Sequence, residues 1–412
     1  MSSFKVVRRN GIALFDYLLI LGLVLAPMTE LRVWKIGPSE LLCMLWSTKY
    51  IRGFFEGGLK NYLIRFWLLF YLTVTAGMLY CLIFYPRESS GVDGLFTWFF
   101  MLYISLGVYA GMKKHSLRGI LSILETVVVL SAVWYLFLLV YSRVVSPYFF
   151  GARLWYARVR YTGGGRNPHQ MAILSLGMMF VSFYFLCRVK LSLPKKLLHA
   201  ACMLAHLYYL FLTRSTTAWM AMAAAYAVGA VLLFLLLKRS VRNRQITVIL
   251  LAGFSLLVVM VAFTQLYQKF YNWVAKDPNG LHRFQLFAYV LDPLRKNFLF
   301  GLGDGTHSND GISEFHNTYL EIIGMSGLIG VIIFVLFTYR MIKKLWHDPF
   351  LLILPFAYYV YGFAGFGMRR LPYWVLSVIM MAMAEKIPIQ EGLRFKERRL
   401  SRAWSPEGLL YE

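Results

Sequence analysis

Charge is what this sequence has least of. Of its 412 residues only 15% are charged, while 59% are hydrophobic. A soluble domain of this length carries closer to a quarter charged residues, so a large water-exposed domain is excluded. Acidic side chains are the rarer kind, 19 against 43 basic. Cysteine is scarce as well, and Cys43, Cys81, Cys187 and Cys202 all lie inside or at the ends of apolar blocks. They read as small core hydrophobes, with no disulfide framework and no zinc or iron–sulfur spacing. Internal repeats and low-complexity linkers are also missing.

What is present is a series of apolar blocks roughly 18 to 25 residues long, the length a helix needs to cross a ~30 Å hydrocarbon core. They predict an all-α, polytopic membrane bundle of about 12 transmembrane helices, one integral membrane domain over residues 1–412. The spans fall near 11–28, 38–50, 62–85, 94–112, 117–142, 168–187, 197–213, 215–237, 246–265, 317–339, 349–366 and 371–385. The second is short and contains Glu40. The basic start (Lys5, Arg8, Arg9) before the first block fits a signal peptide and equally an uncleaved first span. The many spans that follow favour the uncleaved reading.

The charges test this map. An inside N-terminus sends Lys49/Arg52/Lys60, Lys113/Lys114/Arg118, Arg188/Lys190/Lys195/Lys196, Lys238/Arg239/Arg242/Arg244, Arg340/Lys343/Lys344 and the basic tail 386–412 to the cytoplasm. With Lys5, Arg8 and Arg9 that is 26 of the 43 basic residues, with 16 outside and Arg65 within the third span. Every short inside connection is then basic, as the positive-inside rule requires. The net charge of +24 therefore reads as orientation, and no nucleic-acid partner is expected. Both termini are expected in the cytoplasm, and the chemistry on the other side.

Two outer segments are long enough to hold a site, 143–167 and 266–316. In the second, Leu266, Phe270, Trp273 and Val274 recur at helical spacing, flanked by Lys269 and Lys276, which predicts an amphipathic helix on the interface. A turn at Asp277-Pro-Asn-Gly280 follows, and 282–291 reads as helical again before Pro293.

In the first segment, Arg160-Tyr-Thr-Gly-Gly-Gly-Arg166 leads into Asn167-Pro168-His169-Gln170. The last four read as a helix start, with Asn as cap, Pro at the first position and Gln closing a capping box. Three glycines between two arginines could instead let the backbone approach an anion. Arg214 sits in the tight turn Leu212-Thr-Arg-Ser-Thr-Thr217, either snorkelling to headgroups or cradling an oxyanion beside a helix start. The long segment ends in Gly301-Leu-Gly-Asp-Gly-Thr-His307, then Glu314-Phe-His316-Asn317. Its GxG lacks the strand and the GK[ST] of a nucleotide site. His316, where loop meets membrane, is a candidate general base, with Asn317 a helix cap.

The arrangement resembles the O-antigen polymerase and ligase superfamily, which transfers glycans from a polyprenyl diphosphate carrier. Arg214 ends a span before a small hydroxyl run. Arg283, Pro293, Gly301 and Gly303 resemble the family's "R…dhP..G.G". His316-Asn317-Thr-Tyr-Leu320 with Gly324, Gly327 and Gly330 resembles its "HN.yL……G..G". The likeness runs from about residue 155 to 335 and is topological before that. Thr213, not Ser, precedes Arg214, and the aromatic after Arg283 is Phe287 or Tyr289.

The resemblance implies a metal-independent, inverting glycosyltransferase of the bacterial inner membrane that needs no cofactor. Its substrate would be undecaprenyl-diphosphate-linked glycan. His316, Arg214 and Arg283 would be catalytic, and Arg160, Arg166, His307 and Asn317 would bind substrate. Membrane lipids and a chain-length regulator are the other expected partners. Two arginine-bearing outer segments favour polymerisation of O-antigen or capsular repeat units over ligation to lipid A-core. Transport of a lipid-linked sugar is the alternative from another class. Transporters place ionisable groups near the bilayer midplane, and here the clearest in-span charges are few: Asp16, Arg65, Glu125 and Glu321.

Overall fold

The computed structural model describes residues 12–34, 36–55, 58–86, 93–236, 290–303, 317–346, 348–363, 365 and 367–387. Twelve α-helices lie among them: α1 Asp16–Val24, α2 Pro38–Thr48, α3 Tyr62–Phe84, α4 Asp93–Lys114, α5 Leu117–Val144, α6 Pro168–Arg188, α7 Leu193–Thr213, α8 Thr216–Leu236, α9 Leu291–Lys296, α10 Thr318–Leu345, α11 Pro349–Gly362 and α12 Leu371–Ala384. Polar caps start many of them. Asn61, Ser116, Asn167, Asn317 and Asp348 each accept a backbone N–H from the first turn of α3, α5, α6, α10 and α11. Proline occupies the first or second position of α2, α6, α7, α11 and α12, where a missing N–H costs nothing.

Among the described residues, six helices are long and apolar enough to cross a membrane: α3 to α7 and α10. Helix α8 has 21 residues, whereas α11 and α12 have 14 each and α1 and α2 only 9 and 11. At 1.5 Å per residue, α1 covers about 14 Å and α2 about 17 Å. Neither is long enough to cross as a regular helix, and the two are packed on each other. Ser39 Oγ donates to Gly22 O at 2.6 Å, and a Cβ on Gly22 would meet Cys43 Sγ at 2.5 Å. Close approach at small residues is how membrane helices gain contact. The expected span 246–265 and the interfacial helix near 266–276 lie outside the described residues. So does 282–289; α9 starts at Leu291 and carries Pro293 in its first turn, where proline is tolerated.

Between α5 and α6 the fold departs from all-α. Two antiparallel hairpins form, β1 Tyr148–Phe149 with β2 Ala152–Arg153, and β3 Trp155–Tyr156 with β4 Arg160–Tyr161. The two-residue turn of the first puts Phe150 and Gly151 at positive φ, the backbone such hairpins need, and the three-residue loop 157–159 of the second does so at Ala157 and Arg158.

The helix ends sort into two faces. On the hairpin face Thr29 meets Gln170, Arg153 meets Glu30, His169 meets Ser215 and Asn317 meets Phe363. On the opposite face Asp16 pairs with His115, Arg188 with Asp348, Glu125 with Lys195 and Glu385 with Lys344. This is the alternation that up-and-down spans require. The four cysteines are free thiols, three of them buried.

One element is broken on purpose. Gly327 interrupts α10 with φ 56° and ψ −160°, and the segment 298–303 lies against the break. Leu302 N donates to Gly324 O at 3.0 Å, Leu328 N to Phe298 O at 3.0 Å and Ile329 N to Leu299 O at 3.2 Å. These bonds satisfy the groups the break releases, which irregular backbone at membrane depth requires. Gly77 of α3 closes the junction: a Cβ there would stand 2.4 Å from Phe300 O. The GxG and GxxG motifs are thus the two sides of one backbone contact.

Candidate active site

The α7–α8 turn forms one wall on the hairpin face. Arg214 ends α7 in the left-handed conformation (φ 51°, ψ 35°) with its N–H on Phe211 O at 3.1 Å and its side chain exposed. Hydroxyls stitch the turn: Thr213 Oγ1 donates to Leu210 O at 2.7 Å, and Ser215 N donates to Thr213 Oγ1 at 3.3 Å. Arg160, on β4, reaches across and its Nε donates to Thr213 O at 2.9 Å. Burial holds the Arg160 guanidinium below its ordinary pKa, and the charge of Arg214 adds to that, against the opposing effect of Tyr156 and Tyr361. Two like charges drawn together this way favour an anion between them.

The start of α6 joins this wall. Asn167 Oδ1 accepts from His169 N at 3.0 Å, as the sequence pattern predicts. His169 Nδ1 lies 3.0 Å from the buried Ser215 Oγ. Tyr361, near the end of α11, donates its hydroxyl to His169 O at 3.4 Å. Two residues on, Phe363 O accepts from Asn317 Nδ2 at 2.9 Å, while Asn317 Oδ1 accepts from Tyr319 N and Leu320 N. Asn317 thus serves as a cap and strap. A continuous chain of contacts runs from Arg160 and Arg214 through Ser215, His169 and Tyr361 to Asn317. Arg283, His307 and His316 lie outside the described residues; His316 is the neighbour of Asn317 in sequence.

The other expected residue, Arg166, stands elsewhere. The glycines beside it are buried packing elements: a Cβ on Gly163 would meet Tyr135 Cε1 at 2.7 Å, and one on Gly165 would meet Pro27 O at 2.8 Å. Gln170 does not close a capping box. It turns to Thr29, and with its amide oriented to satisfy both neighbours it accepts from Arg370 Nη1 at 2.7 Å. Arg166, Arg32, Arg369 and Arg370 line a cavity of about 480 Å³ whose one carboxylate, Glu40, is bonded to Arg32. Sequence reasoning passed over Arg32, Arg369 and Arg370, which sit in separate short connections. The signal available was the adjacent pair Arg369-Arg370 in a connection assigned to the outside, where basic residues are unfavoured.

Residues 200–335 fit the protein family described as O-antigen ligase. The stretch contains the Arg214 turn, Arg283, His316, Asn317 and both sides of the glycine junction, but none of the four cavity arginines. No curated protein matches the chain.

Proposed function

We propose, from the match of residues 200–335 to the family described as O-antigen ligase, that the chain is a membrane glycosyltransferase whose donor is an undecaprenyl-diphosphate-linked oligosaccharide. The hairpin face is the extracytoplasmic one, in agreement with the charge of the opposite connections. The isoprenyl tail lies in the bilayer and the diphosphate meets Arg214, Arg160 and Arg283. The observation that carries this reading is the Arg214 turn: a guanidinium held in a left-handed backbone, beside a second half-buried arginine, on the family stretch.

In the reaction an acceptor sugar hydroxyl attacks C1 of the donor and gives its proton to His316. The new C1–O bond forms as the C1–O(diphosphate) bond breaks, and that electron pair stays on the departing diphosphate. Its growing charge is met by planar guanidiniums, which stay protonated and bind in two-pronged fashion. Each well-placed donor of this kind is worth about 3 kcal/mol, and a positioned base adds about 10²- to 10⁴-fold. Attack opposite the leaving group inverts C1. His307 and Asn317 are assigned to the substrate rim.

We favour polymerisation of O-antigen or capsular repeat units, since arginines from two outer segments can serve two lipid-linked chains. Ligation to lipid A-core is the second reading, favoured by the description of the matching family. Transport is disfavoured by Asp16 and Glu125, whose partners His115 and Lys195 hold them near the opposite face. The test is incubation of the purified protein with lipid-linked repeat units, with and without chelator. A polymer ladder that persists with chelator is expected, together with its loss in His316→Ala and in Arg283→Lys, each still inserted in the membrane. A ladder from both variants, or one that requires Mg²⁺, overturns the assigned roles. Product only on added lipid A-core selects ligation.

A further inference from the structure

We propose that the arginine-lined cavity beside the α6 N-terminus binds an acidic sugar residue of the acceptor glycan, apart from the donor diphosphate. The proposal rests on the glycosyl-transfer reading for the word acceptor, and on the cavity itself for the rest. Its wall carries four guanidiniums against one carboxylate, a net of three positive charges around about 480 Å³. Pockets of this size take small ligands of one or two rings rather than extended chains. Arginine forks match the two oxygens of a carboxylate or phosphate.

Two of the forks are held in place rather than left to wander. Arg32 is tied to Glu40, and Glu40 Oε2 also accepts from Gly37 N at 3.1 Å. Arg370 is tied to Gln170. Arg32 Nε is buried and has no hydrogen-bond partner among the described residues, an expense that a preformed site justifies. At the mouth stands Trp34, half exposed, edge-on to Phe96 with ring centroids 5.0 Å apart. Its backbone is left-handed (φ 57°), between the paired Val33 and Ile36. A strained non-glycine residue that keeps a large aromatic ring exposed beside an arginine-lined cavity points to a ligand. A flat indole beside anion-binding forks suits a sugar ring that carries an acid group.

The position suits an acceptor. His169 turns to Ser215 and the Arg214 turn, whereas the next residue, Gln170, turns to the cavity. Successive helix positions differ by about 100°, so the two cation clusters flank one helix start. The cavity comes from the α1–α2 connection, α4, the α6 start and the α11–α12 connection, all outside the stretch that matches the family.

The test uses the full chain in nanodiscs and reads binding by calorimetry, without turnover. The probes are a glucuronate-terminated disaccharide, its neutral methyl ester and inorganic phosphate. We expect the acid to bind and the ester to bind at least about tenfold more weakly. We expect Arg166→Gln with Arg370→Gln to weaken the acid by a similar factor, while Arg214→Ala, which removes transfer, leaves it unchanged. Trp34→Ala, at an exposed position, weakens the disaccharide but not phosphate, so the proposal stands on this variant if the double one fails to fold. Equal binding of acid and ester, or no effect of Arg166→Gln with Arg370→Gln, overturns it. So does phosphate binding as tightly as the disaccharide, which marks an anion-only site. Abolition of binding by phosphatidylglycerol, but not by phosphatidylcholine, assigns the cavity to a lipid headgroup and overturns it too. Protein that binds the acid yet makes neither polymer nor product on lipid A-core refutes the catalytic reading alone.

Discussion

Arg214 holds a conformation that an L-residue other than Gly adopts at a cost of about 1 kcal/mol or more. Arg160 pins the peptide just before it through Thr213 O. The strain and the charge can be separated by substitution. Arg214→Gly should relieve the backbone and raise thermal stability by about 1 kcal/mol, yet lower transfer by about 10²-fold or more. Arg214→Lys keeps the charge but loses the fork, and should also fall well below wild type. Melting in detergent beside a ladder assay checks both. A fully active Gly variant would remove Arg214 from the mechanism. The tight turn was legible from Leu212–Thr217, and so was an arginine at the membrane surface. Its left-handed backbone was not, because that depends on a partner on β4, more than fifty positions earlier. Arg32 and Arg370 were illegible for the same reason: nothing local relates positions so far apart in the chain, and only the fold brings them to one cavity.

The broken helix α10 gives the glycine motifs their meaning at the next scale. The sequence showed GxG and GxxG and excluded a nucleotide site for them. It could not show that one motif docks on the other, since Gly77, which completes the junction, belongs to α3. Here the two glycine classes behave differently. A Cβ on Gly301 would stand 2.3 Å from Gly324 O, and one on Gly327 would stand 2.6 Å from Leu299 O, both at positive φ. In each case the obstacle is backbone, which has no rotamer to give. Gly301→Ala and Gly327→Ala should each destabilise by a few kcal/mol and sharply reduce the yield of monodisperse protein. Gly119→Ala is the control. Its nearest neighbour is 3.4 Å away, and a helical alanine there should be neutral or stabilising by up to about 1 kcal/mol. Wild-type behaviour of Gly327→Ala on size exclusion and melting would mean that the break in α10 is not required by the fold.

For the molecule as a whole, apolar length and charge made the bundle and its alternation legible. The six long helices agree with expected spans to within a few residues at most ends. The short elements were harder, because α1 and α2, with 9 and 11 residues, pack on each other and are too short to cross as regular helices. Hydropathy reads length and misses that. The two-face order now makes orientation a single binary question. Phe150 lies at a hairpin tip and is 85% exposed, whereas Lys190 is exposed between α6 and α7. If basic connections stay inside, Phe150→Cys in a background without the four native cysteines should react with a membrane-impermeant maleimide on intact cells. Lys190→Cys should react only after permeabilisation. The reverse pattern would put the Arg214 turn and the arginine cavity in the cytoplasm, away from a glycan presented outside. Labelling of both on intact cells would break the alternation itself. The expected result leaves both cation clusters on the face where a lipid-linked chain can reach them together.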